Sequence, residues 1–187
     1  MPEHRVCPWW LGYFLASPLR RLVHNPSSIL SSYVREGMKV LEPGPGMGFF
    51  TLELARLVGV PGRIIAVEIQ PKMLAALKRR VAKAGFSGRV DARLGAPHTM
   101  GLADVAGSVD FALAFAIVHE LPAAGPFFQE VAQALKPGGS VLLAEPSGHV
   151  TGQEFAAELE AAAAAGLHRV ENPRVPRSRA ALLRKAA

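Results

Sequence analysis

The chain has 187 residues, 50% of them hydrophobic, and a formal net charge of +6 at pH 7. That length and apolar content fit one domain with a sizeable core and exclude a disordered polymer. One cysteine, Cys7, excludes an internal disulfide framework and a cysteine-based zinc site, so a reducing, cytoplasmic setting is the expectation.

No apolar run reaches the roughly 18 residues of a spanning helix. The basic residues are spread out: Arg20-Arg21, Lys78-Arg79-Arg80, then Arg174, Arg177, Arg179, Arg184 and Lys185. Solvated faces explain them better than a phosphate-binding surface, so nucleic acid stays open as a partner without being favoured. Residues 1–30 stand outside the pattern that follows and read as an N-terminal aromatic segment ahead of a ligand-binding domain at 31–187. The apolar stretch Trp9 to Ala16 follows Glu3 and Pro8 and runs into Pro18-Leu19-Arg20-Arg21, a poor secretion leader. Its aromatics Trp9, Trp10, Tyr13 and Phe14 read in two ways. They pack as a helix on the core, or they form a substrate lid in which Trp9, Trp10 and Tyr13 touch the substrate.

From Gly37 onward apolar strands alternate with amphipathic helices, the pattern of an α/β sheet covered on both faces. Strands are expected at 38–42, 63–67, 89–94, 109–115, 139–144, 167–171 and 179–185, with helices between them. The first strand runs into Glu42-Pro43-Gly44-Pro45-Gly46-Met47-Gly48, and a helix is expected to follow at Phe49. A dinucleotide turn would need Gly-x-Gly-x-x-Gly, and that register puts Phe49 where the third glycine belongs. Glu42 at the strand end would repel a pyrophosphate and suits a cationic group. The second strand ends on Glu68, about 20 residues beyond the glycine turn, where nucleoside-binding α/β folds place an acid on the ribose hydroxyls. Pro71 opens a helix with Leu74, Leu77 and Val81 on one face, which Gly85 stops.

The fourth strand continues through Ala116-Ile117-Val118 into His119-Glu120, just past a carboxyl end. His119 there is a base, a substrate contact, or a structural residue bonded to backbone. Phe128, Val131 and Leu135 share a helical face ahead of the turn Lys136-Pro137-Gly138-Gly139. The fifth strand ends in Glu145-Pro146-Ser147-Gly148-His149, so Glu145 and His149 are candidates for a polar wall facing His119. Neither pair has His-Glu-x-x-His spacing, and no metal site is expected. Thr151 and Glu154 read as a capping box opening a helix to Gly166.

With Glu42, Gly44, Gly46, Gly48 and Glu68 in this order, the chain resembles the class I S-adenosylmethionine-dependent methyltransferases. The resemblance runs from about Ile29 to Lys185. It implies a three-layer Rossmann-like sheet of seven strands, mostly parallel with the last antiparallel, and S-adenosylmethionine (SAM) as cofactor. Glu42 would face its ammonium and sulfonium, the three glycines its backbone cradle, and Glu68 its ribose. One departure stands out. Many members carry an acid or amide for adenine after the third strand, where this chain has Gly95-Ala96, with His98 and Thr99 nearby.

The acceptor is read by elimination. There is no Asn/Asp-Pro-Pro-aromatic loop, no Pro-Cys nucleophile and no set of cysteines for arsenic. A small-molecule acceptor near the carboxyl ends of the fourth and fifth strands is therefore expected, with His119, Glu120 and His149 as catalytic candidates and Glu145 lining the substrate. The alternative is a noncatalytic nucleoside-fold module, or an RNA-directed methyltransferase using the basic surface.

Overall fold

The computed structural model describes residues 23–187, and the aromatic segment with Trp9, Trp10, Tyr13 and Phe14 lies outside them. The described residues fall into two compact units, one up to Met100 and one from Gly101 to Ala187. The first contains α1 (Pro26–Leu30), β1 (Lys39–Pro43), α2 (Thr51–Leu57), β2 (Arg63–Glu68), α3 (Pro71–Lys83) and β3 (Val90–Leu94). The second contains β4 (Val109–Phe115), α4 (Ala124–Ala134), β5 (Leu135–Pro146), α5 (Gly152–Ala164), β6 (Leu167–Glu171) and β7 (Ser178–Lys185).

The strands form a seven-stranded sheet in the order β3-β2-β1-β4-β5-β7-β6. β1 and β3 run parallel to β2, and β4 parallel to β5. β7 lies antiparallel between β5 and β6. Successive residues Ile64, Ile65, Ala66 and Val67 of β2 are all buried, as are Phe111, Ala112, Leu113 and Ala114 of β4. A strand with one wet face would alternate, so both faces of these strands are covered.

Local chemistry accounts for the helices. Asn25 caps α1, its side chain accepting from the backbone N–H of Ser27 at 3.1 Å. Pro71 begins α3, where a missing N–H costs nothing, and Leu74, Leu77 and Val81 are buried as their spacing predicts. Gly85 after that helix has φ +75°. Thr151 and Glu154 form the expected capping box: Thr151 Oγ1 accepts from Glu154 N at 3.2 Å and Glu154 Oε2 accepts from Thr151 N at 2.7 Å.

Several expectations need correction. The helix expected at Phe49 begins at Thr51, because the three left-handed glycines keep the chain in turns until then. β5 begins at Leu135, not 139, and Leu135 therefore belongs to a strand and not to the face of α4. Leu135 pairs with Val109 and Ser140 with Phe111, so 136–139 bulge out opposite Asp110. Gly138 supplies the positive φ of +75° that the bulge needs. No α-helix separates β3 from β4 or β6 from β7. The first connection has only a 3-10 turn at Ala103–Val105, with Gly101 and Gly107 left-handed, and the second carries Pro173 and Pro176.

Gly48 shows why one glycine of the turn is structural. At φ +88°, a Cβ built there lies 2.6 Å from Leu77 Cδ1, so the turn sits directly on α3. Gly48→Ala should cost about 1 to 3 kcal/mol through overpacking and backbone strain. Gly85→Ala, at a similar φ with nothing within 4 Å, should cost about 1 kcal/mol. Urea unfolding measures both. Equal losses would mean that the approach to Leu77 is not what requires glycine at 48.

Candidate active site

In the first unit the site begins where β1 ends. Gly44, Gly46 and Gly48 have φ of 62°, 56° and 88°, a left-handed series that side chains rarely adopt. The Gly44 N–H donates to the Val67 carbonyl at 2.9 Å, and Gly48 N–H closes the turn on Pro45 O at 2.9 Å. From α3, Arg80 Nη1 donates to the Met47 carbonyl at 2.6 Å and fixes the turn from behind. Gly46 differs from Gly48. A Cβ there would meet only Met73 Sδ at 3.9 Å, so the space in front of Gly46 is open to a ligand.

Two buried carboxylates flank this turn and behave differently. Glu68, 4% exposed, accepts from Gly46 N at 3.0 Å through Oε2 and from Gln70 N at 2.9 Å through Oε1. Each carboxylate oxygen has a second acceptor direction, so these bonds aim Glu68 without exhausting it. Glu42 is 3% exposed, and its Oε2 is buried without a hydrogen-bond partner, as is the Oγ1 of Thr51. Burial pushes the Glu42 carboxyl up to about 7, the nearby Thr51 hydroxyl pulls it down, and the charge of Glu68 raises it. An opposite charge beside it would favour the ionised form and offset its burial.

Gly95 follows β3 and donates its N–H to the Glu68 carbonyl at 3.0 Å. A Cβ on it would lie 2.8 Å from Val67 Cγ1 and 3.5 Å from Ile69 Cγ2, so close packing on β2 excludes an acid here. In its place Ile69 and Leu94 stand 41% and 57% exposed at the ends of β2 and β3. Their apolar surface is suited to the face of a flat base. Ile69 was legible only as the residue after Glu68, since nothing in an apolar strand marks its last member as uncovered.

In the second unit the chain leaves β4 through Ala116, a non-glycine residue at φ 54°. That left-handed step turns Ile117 and Val118 so that both N–H groups donate to Glu145 Oε1, at 3.1 and 2.8 Å. Glu145 is fully buried at 0%, and its Oε2 pairs with His119 Nδ1. It therefore sits behind His119 and orients the ring. Among the described residues no hydrogen bond engages His119 Nε2, and the side chain is 22% exposed. The bond to Glu145 raises the His119 pKa; burial lowers it; and the charges of Glu145, Glu120 and Glu158 raise it further. His149 is exposed and stacks edge-on against His119 at 6.0 Å between ring centroids. Glu120 shares the 3-10 turn Val118–Glu120 with His119. Glu158 of α5, not anticipated from the sequence, is 8% exposed with Oε2 unpartnered.

This fold, with an acid-glycine turn after its first strand and an acid at the end of its second, is Rossmann-like. A family model described as a methyltransferase domain matches residues 34–174, and the chain belongs to this family, whose cofactor is SAM. An arsenite methyltransferase of Halobacterium salinarum is 31% identical over 65% of this chain and 30% of its own length. A protein-L-isoaspartate O-methyltransferase of Methanothrix thermoacetophila is 31% identical over 75% of this chain and 61% of its own length. The chain thus spans under two thirds of these relatives. A solved SAM-dependent methyltransferase of Aquifex aeolicus shares the fold with TM-score 0.83 at 23% identity, covering 96% of this chain and 98% of that one. A putative S-adenosyl-L-methionine-dependent methyltransferase of Methanococcus maripaludis does so with TM-score 0.81 at 13% identity, covering 100% and 98%. No helix among the described residues is long and apolar enough to cross a membrane.

Two measurements check the electrostatics. Because the Glu42 carboxyl is raised from 4.5 to about 7, the folded state holds a proton that the unfolded chain releases between those values. Stability contributed by the protonated form is lost as pH rises through that window, and binding of a cationic ligand tightens over it. Relative to Glu42→Gln, the parent should lose on the order of 3 kcal/mol between pH 4 and pH 8, read by urea unfolding. A pH-independent difference would place Glu42 in water. For His119 the shift is upward, so the His119–Glu145 pair stabilises below the ordinary histidine pKa and that contribution disappears as pH rises through the raised one. Glu145→Gln should lower the His119 midpoint in an NMR titration; an unmoved midpoint would break the assignment.

Proposed function

We propose that the protein is a methyltransferase that takes its methyl group from SAM and passes it to a small-molecule acceptor at the carboxyl ends of β4 and β5. The observation that carries this reading is the buried, unpartnered Oε2 of Glu42 beside an open glycine turn. A dinucleotide site has no use for an acid there.

When bound, SAM supplies a methyl group already activated by its sulfonium. The residues then bind and orient. Glu42 receives the ammonium, the turn of Gly44, Gly46 and Gly48 forms the cradle, with Gly46 leaving room for close approach, and Glu68, aimed by the N–H groups of Gly46 and Gln70, accepts from the ribose hydroxyls. Ile69 and Leu94 cover the adenine with apolar surface, replacing the polar contact that Gly95-Ala96 cannot make. On the acceptor side His119 offers Nε2, Glu145 holds its ring, and His149 and Glu120 border it. A recessed His119 and a nearly buried Glu158 suit a small acceptor better than a flat macromolecular surface. Holding an acceptor in line supplies up to about 7 to 11 kcal/mol of barrier lowering, so a base matters only where the acceptor must lose a proton.

Calorimetric titration with SAM, its demethylated product S-adenosylhomocysteine and NAD tests the reading. The first two should bind and NAD should not; NAD binding without SAM binding would falsify it. Glu68→Ala should weaken SAM binding by roughly 1.5 to 3 kcal/mol, the worth of hydrogen bonds to a charged group. A thermal melt runs beside it, because alanine also strips two backbone N–H groups of their acceptor. Unchanged affinity in a folded variant removes Glu68 from the ribose.

A further inference from the structure

Four carboxylates and two imidazoles gather in the second unit around the end of β5. Glu145 comes from the strand itself, His119 and Glu120 from the 3-10 turn, His149 from the turn after β5, and Glu154 and Glu158 from α5. α4, which packs against both α5 and the 3-10 turn, carries Glu130 as its one titratable side chain. Across the β5–β7 ladder Arg179 pairs in register with Glu145, but its Nε donates to the Val150 carbonyl at 2.9 Å. Two of these carboxylates have their bonds within the protein. Glu145 holds two N–H groups and His119, and Glu154 caps α5. Glu158 is more than nine-tenths buried, with an unpartnered Oε2 in the electrostatic reach of His119 and Glu145.

We infer that Glu158, together with His119 Nε2, is the recognition point for a protonated amino group, so that the methyl acceptor is an amine. This deepens the proposed function and rests on it. A carboxylate acceptor would enter against the charge of Glu145, which already disfavours the ionised form of Glu158, and a neutral hydroxyl would leave that field unbalanced. An ammonium group satisfies the orphaned oxygen and the charge together. Burial, followed by the charge of Glu145, pushes the Glu158 carboxyl up to about 8, with His119 pulling the other way. A bound cation reverses that pressure. The proton bookkeeping closes within the site: the ammonium N–H bond breaks, its electron pair stays on nitrogen as the nucleophilic lone pair, and the proton passes to Nε2 of neutral His119. Nδ1–H of the same ring stays bonded to Glu145, which stabilises the imidazolium formed.

The test uses the full chain with glutamate carboxyls labelled with carbon-13, saturated with S-adenosylhomocysteine, and methylammonium chloride as probe against equal concentrations of sodium chloride and of sodium acetate. Methylammonium should shift the Glu158 carboxyl resonance saturably and lower its titration midpoint by about one pH unit or more. The saturable response, followed at the His119 ring, should vanish in Glu158→Gln and persist in Glu160→Gln, a change at an exposed position of the same helix. The spectra themselves report whether each variant is folded. A response to acetate, or a methylammonium response no different from that of sodium chloride, overturns the assignment. Binding of S-adenosylhomocysteine is measured separately. Its failure counts against the methyltransferase reading, whereas product binding without a methylammonium response counts against the amine alone.

Discussion

A carboxylate buried at the end of a parallel strand is the constraint on which the rest of this structure depends. Such a group costs several kcal/mol unless hydrogen bonds replace its lost water. In both units the replacement comes from the loop that leaves the adjacent parallel strand. Glu68 at the end of β2 accepts from Gly46, in the loop leaving β1. Glu145 at the end of β5 accepts from Ile117 and Val118, in the loop leaving β4. Each acid therefore shapes its neighbour's loop, and each loop neutralises the cost of its neighbour's acid.

The loops accept strain in return. Gly46 and Ala116 are both left-handed, at φ 56° and 54°. Glycine takes that conformation freely, but for alanine it costs about 1 to 2 kcal/mol. The strain at Ala116 is held by two N–H bonds to the buried carboxyl group of Glu145. Its result is a histidine whose Nδ1 is engaged and whose Nε2 is left without a hydrogen bond among the described residues, as a proton acceptor requires. Glu42 is the exception in the first unit: it is buried like the other two, yet among the described residues its Oε2 has no hydrogen-bond partner.

Much of this was legible in the chain. The buried strands showed as apolar runs, and the acid-glycine turn, Glu68 and the capping box at Thr151 carry signals within a few residues of one another. His119 and Glu145 could be named from their places after strands, although their direct bond spans 26 positions. What stayed hidden depended on packing. Glu158 sits in an alanine-rich helix where a glutamate reads as solvated, and only the surroundings of α5 show that it is covered. The start of β5 was misplaced because Lys136-Pro137-Gly138-Gly139 carries every mark of a turn, and in the structure it is one, a bulge inside a continuing strand. The missing helix between β3 and β4 reflects a segment broken by Gly95, Pro97, Gly101 and Gly107.

The place of β7 sets an order of opening. β6 precedes β7 in the chain, yet it lies at the sheet edge and pairs with β7 alone. β7 is laddered on both sides, to β5 and to β6, and the Lys185 ammonium ties it to the carbonyls of Ala132 and Leu135 at 2.7 and 2.8 Å. β6 can detach while β7 stays bonded to β5, but β7 cannot leave β5 without taking the partner of β6 with it. At this end of the sheet the edge strand β6 should therefore exchange its amide hydrogens with solvent before β7 does.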